Sequence, residues 1–135
     1  MKLRNRFATR ASVVLGVGFL LSGVTPNSWA AGDATYTVFT TDDNPGGRAT
    51  FWSYGEHFDV QDDQADGYRA VGYLRVNGTT YRVDDANGAS TPSNAGWVRR
   101  DFEFAEGTPI ELKVCLRDGA DGADMFCSGW KSGTA

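Results

Sequence analysis

The sequence predicts an all-β fold, a small antiparallel β-sandwich of about six to seven strands carrying one disulfide. Three observations predict it. Beyond residue 30, short runs alternate apolar and polar residues with a period of two, and no stretch sustains an apolar 3.6-residue period. Clusters of Gly, Asn, Asp and Pro separate these runs at the spacing of sandwich strands. The chain also carries two cysteines and one histidine, too few for a metal-stapled framework.

The first element is not part of that fold. Lys2, Arg4, Arg6 and Arg10 form a positive segment, residues 13–21 a short apolar run, and Ser28, Trp29 and Ala30 a site with small residues where a signal peptidase reads them. The pattern predicts a signal peptide over residues 1–30, cleaved after Ala30, and hence a secreted, extracellular protein. The apolar run is too short for a spanning helix. Removal of 30 of the 135 residues leaves 105, enough for one domain with a modest core. The leader's four cations leave nine of the 13 Lys+Arg against all 17 Asp+Glu. Such acidity argues against nucleic acid or an anionic membrane as partner.

Residues 36–39 favour a strand and are followed by the breaker Thr41-Asp42-Asp43-Asn44-Pro45-Gly46-Gly47. This divides the exported chain into an N-terminal arm and hinge, 31–47, and a sandwich domain, 48–135. The plainer reading is an ordinary first strand. The sharper one is a strand-competent arm that docks a partner through Tyr36, Val38 and Phe39, by backbone hydrogen bonds and alternate side chains.

Strands follow over 48–52 and 57–60. In 68–76, Ala70, Gly72, Leu74 and Val76 share one face; Asn77-Gly78 then links this run to 79–83 as a type I′ hairpin. Asn77-Gly78-Thr79 also matches a glycosylation sequon, but the turn explains those residues without a sugar. In 97–104, Val98, Phe102 and Phe104 face one way, with Arg100 the odd member of that face. In 109–116, Ile110, Leu112, Val114 and Leu116 point inward and Cys115 outward. Cys115 and Cys127, a lone pair in an exported chain, predict one structural disulfide that staples residues 125–130 to the outside of the sheet.

Chemistry is sparsely signalled. Asp118, Asp121 and Asp124 in a Gly-rich loop could bind calcium, yet the ligand order of a calcium loop is missing and solvated turns account for them. No GxSxG surrounds Ser53, Ser90, Ser93, Ser128 or Ser132, and His57 beside Phe58 reads as structural. The expectation is a non-enzyme with no catalytic residue, metal or cofactor. Trp52, Tyr54, Trp97 and Trp130 could stack on sugars if exposed, which keeps a carbohydrate-binding module as the alternative, with a small hydrolase inhibitor behind it.

Residues 49–60 (ATFWSYGEHFDV), 66–71 (DGYRAV), Glu106-Gly107 and 114–118 (VCLRD) resemble small secreted proteins common in actinobacteria. Some of these look like the adaptor subunits of the umbrella toxin particles of Streptomyces. The resemblance implies a β-sandwich adaptor in interbacterial competition, joining a lectin subunit to a large repeat-containing toxin subunit. It further implies that the sandwich accepts a strand from the large subunit and that the N-terminal extension enters a cleft of the lectin. This chain has one cysteine pair where such proteins often carry two.

Overall fold

The computed structural model describes residues 33–89 and 96–135. The signal-peptide reading and part of the 86–96 loop lie outside them. Eight strands run in chain order: β1 (Thr35–Phe39), β2 (Gly47–Trp52), β3 (His57–Asp62), β4 (Arg69–Val76), β5 (Thr79–Asp85), β6 (Trp97–Asp101), β7 (Pro109–Arg117) and β8 (Lys131–Thr134). They form two antiparallel sheets, sheet A in the order β1-β2-β3-β6 and sheet B in the order β5-β4-β7-β8. Among the described residues there is no helix, so none that is long and apolar enough to cross a membrane.

The period-two alternation does its expected work. Ala49, Phe51, Phe58 and Val60 from sheet A meet Ala70, Leu74, Val76, Ile110, Leu112 and Val114 from sheet B in one buried core. At Gly72 the sheets approach closely: a Cβ there would stand 2.3 Å from Val60 Cγ2 and 2.9 Å from Phe58 Cζ. Asn77 (φ 51°) and Gly78 (φ 78°) both adopt the left-handed region, and the β4–β5 ladder closes at Val76 opposite Thr79. This is the two-residue primed turn that Asn-Gly favours.

Cys115 faces outward, yet it is fully buried. Residues 125–134 run along the free edge of β7: Leu116 and Met125 exchange backbone hydrogen bonds at 2.8 and 2.9 Å, and Ser128 N donates to Val114 O. The Cys115–Cys127 disulfide ties this segment down. Val71, opposite Cys115 on β4, is buried in the same small outer cluster. Sheet B therefore carries packed residues on both faces near this point.

The separate arm predicted for 31–47 is not what the described part of that segment forms. β1 pairs with β2 along all five of its residues. Val38 enters the core and Tyr36 packs against it, with the Tyr36 ring where a Cβ on Gly133 would lie, 2.7 Å away. The breaker is a closed connection instead of a hinge: Thr40 N donates to Gly47 O, Gly47 N to Thr40 Oγ1, and Gly46 N to Asp42 Oδ2. Burial of the alternate residues Tyr36 and Val38 outweighs the freedom that the glycines and asparagine offer.

Candidate binding face

The outward side of sheet A is built by the same alternation that builds its core. Strand register sets three rows across it. Phe39, Arg48, Gln61 and Trp97 form the first; Thr37, Thr50, Asp59 and Arg99 the second; Thr35, Trp52, His57 and Asp101 the third. Phe39, Trp52 and Trp97 are 50, 42 and 41% exposed. By ordinary ladder spacing Phe39 and Trp97 stand about 14 Å apart, three strands from one another. Trp52 lies about 13 Å along the strand direction from their row.

Polar side chains between the rings are tied to each other. Arg48 donates through Nε and Nη2 to Gln61 Oε1 at 3.0 and 2.6 Å, and approaches Asp63 at 3.4 Å. Asp59 accepts a bidentate pair from Arg99 at 2.7 and 2.8 Å and a third hydrogen bond from Trp52 Nε1 at 3.0 Å. The Arg99 guanidinium lies over the Trp97 ring, 4.7 Å from its centroid. His57 Nδ1 and Asp101 Oδ1 are 2.5 Å apart. Two rigid charge-assisted pairs thus hold a shallow hollow whose middle is lined by Thr37 and Thr50, hydrogen-bonded to each other at 3.0 Å.

Comparison with known protein families, curated proteins and solved structures gives no match for this chain. The reading of its surface rests on its own residues.

Of the three residues expected to bind a partner, Phe39 lies on this face, while Val38 is in the core and Tyr36 against it. Sequence reading had no means of placing Trp97 in a row with Phe39, because the β3–β6 pairing that does so is non-local. The other exposed aromatics lie elsewhere. Tyr54 stands in the β2–β3 turn, and Trp130 lies between Arg75 (4.2 Å) and Lys113 (4.8 Å) beside sheet B.

The acidic loop 118–124 is organised by arginines. Asp124 accepts from Arg117 at 2.5 Å and from Tyr73, and the Ala120 carbonyl accepts from Arg82 and Arg117. Although burial pushes Asp124 up, these hydrogen bonds outweigh it and hold the carboxyl below its usual range. Among the described residues, the three-residue set with ligand atoms close enough to share a metal is Cys115, Asp124 and Cys127, whose sulfurs are joined to each other. Ser53 is buried, its hydroxyl within reach of the Ala34 and Thr134 carbonyls.

Proposed function

We propose that this chain is a secreted, non-enzymatic protein–protein interaction module that serves as an adaptor between larger secreted proteins. The observation that carries this reading is the open edge of β6. That strand ends sheet A and, among the described residues, pairs with β3 alone. Four of its five side chains are exposed, including Trp97, Arg99 and Arg100. Phe102 N donates to Glu56 O at 3.0 Å, so strand alternation turns the N–H groups of Trp97, Arg99 and Asp101 away from β3. An extended segment of a partner can pair there and lengthen the sheet by one strand. The disulfide suits an oxidising, extracellular setting. The sequence resemblance supplies the partner class, a lectin subunit and a large repeat-containing toxin subunit.

The test is affinity purification of the tagged chain from culture supernatant, with two substitutions compared. Arg99→Pro removes an outward donor while sparing the β3–β6 ladder, and is expected to abolish recovery of large secreted partners. Arg99→Ala removes the same ion pair but keeps the N–H, and is expected to retain them. Recovery of wild-type protein as a lone monomer, or equal loss in both variants, would reject strand addition at β6.

A further inference from the structure

We propose that the outer face of sheet A is a binding site for an extended, uncharged glycan. The site uses a face and not the β6 edge, so it goes beyond the adaptor reading and can stand or fall separately from it.

The first argument is the spacing of the rings. Phe39, Trp52 and Trp97 are each about two-fifths to one-half exposed, and the ladder sets them at the corners of a triangle with sides of about 14–16 Å. A compact ligand cannot touch two of them at once. An extended chain of pyranose rings can, laying its apolar C–H faces on successive aromatic platforms.

The second argument is the polar chemistry between the rings. Arg48 and Arg99 each use part of a five-donor guanidinium on a neighbour, and Asp59 has accepted three hydrogen bonds out of about four acceptor positions. The groups are held in place, yet donors and acceptors remain for a ligand. Sugar hydroxyls both donate and accept, and match such a mixed set without reorganising it. Preformed sites with a few fixed polar groups among apolar ones are the usual form of small-ligand recognition.

The third argument is charge. Arg99 is paired with Asp59 and Arg48 with Asp63. Neither guanidinium of the face is left unpaired to attract an acidic polysaccharide. The same pairing weighs against a protein lid over these residues. An interface that buried them would strip water from paired charges, at a cost that often exceeds the Coulombic gain. A hydroxyl-rich chain replaces that water group for group.

The probes are cellohexaose, chitohexaose, xylohexaose and mannohexaose, titrated into the full chain and followed by tryptophan fluorescence and calorimetry. Polygalacturonate serves as the anionic comparison. At least one neutral hexasaccharide is expected to bind saturably and at least about tenfold more tightly than its disaccharide, because the pair spans too few rings. Phe39→Ala and Trp52→Ala should each weaken it by about tenfold, the scale of one lost stacking contact with its buried area. Trp52→Tyr, which keeps a ring, should retain most of the affinity and guards against a folding defect in Trp52→Ala. Tyr54→Ala and Trp130→Ala should change nothing. Failure of all four neutral probes would overturn the proposal, as would binding of polygalacturonate alone or binding indifferent to Phe39 and Trp52. Loss of a co-purified protein from Trp52→Ala without any glycan binding would assign the face to a protein instead. Phe39→Ala, on β1 at the opposite edge of sheet A from β6, tests the face alone, so loss of glycan binding and loss of strand addition are distinguishable.

Discussion

At the scale of single residues, backbone geometry and side-chain clearance decide most. Gly72 lies on the inward face of β4, where Val60 and Phe58 leave no room for a methyl group. Because both neighbours are core residues, accommodating even one carbon means moving a sheet. Gly72→Ala is expected to destabilise the fold by about 1–3 kcal/mol, read as a lower urea midpoint at unchanged slope. Arg100 shows the opposite latitude. It occupies a position of the inward-facing set on β6, and its guanidinium stacks over Tyr81 at 5.2 Å and Phe102 at 5.0 Å while remaining exposed. The charged head reaches water and the stem covers apolar surface. The odd member of an otherwise apolar pattern is thereby accommodated without a buried charge.

At the scale of elements, the strands with strong alternation were the legible ones. Residues 68–76 and 109–116 carry four inward apolar positions each, and β4 and β7 follow them closely. The Asn-Gly turn located the hairpin without help from the rest of the chain. β8 was not legible, because Lys131–Thr134 has no apolar alternation; its strand is imposed by pairing with the edge of β7. The 97–104 run ends as a strand at Asp101, and Phe102 and Phe104 continue as stacked rings, 5.1 Å between centroids, packed on the core. The candidate face was half legible. Alternation puts Trp97 opposite the apolar side of its strand, but bulky aromatics are ordinarily core residues. Its place in a row with Phe39 depends on a register that joins distant strands. The segment after β7 is held by its staple as well as by its pairing with β7. Replacing Cys115 and Cys127 together by Ala reopens a loop of sequence separation 12 and is expected to cost about 3 kcal/mol in thermal or urea unfolding. Selective gain of amide exchange over residues 125–134 would show that the edge segment loosens first.

At the scale of the whole molecule, the two sheets are joined at one end by buried acids. Asp62, the last residue of β3 in sheet A, donates its backbone N–H to Asp85 Oδ2, from the last residue of β5 in sheet B, at 2.8 Å. Both side chains are buried. Burial pushes the Asp62 carboxyl up to about 6, with the nearby carboxylates of Asp66, Asp85 and Asp63 adding to the rise and the hydrogen bond from Gln64 N opposing it. Asp63 is raised as well, first by burial. A carboxyl with a raised folded-state pKa binds more protons in the native state than in the unfolded one. Its favourable contribution is complete below the ordinary value of 3.8 and is lost as pH rises toward about 6. Asp62→Asn keeps an oxygen for Gln64 N and cannot ionise. Its melting temperature is expected to exceed that of wild type at neutral pH by the equivalent of about 1–3 kcal/mol, with the gap closing as pH falls toward 4. A gap that stays constant across that range would remove Asp62 ionisation as the cause.

The pairing of β7 bears on how the chain reaches this state. β4 and β7 share eight rungs, yet β5 and β6 lie between them in the chain. The β4–β5 hairpin can close locally within microseconds, whereas β7 must search for β4 before any of those rungs is rewarded. Cys115 meets Cys127 when residues 125–134 settle along β7, so oxidation reports the arrival of this last edge. A chain with two cysteines has no wrong partner to sample within itself. Its long-range step is a search for register, and no disulfide needs reshuffling on the way.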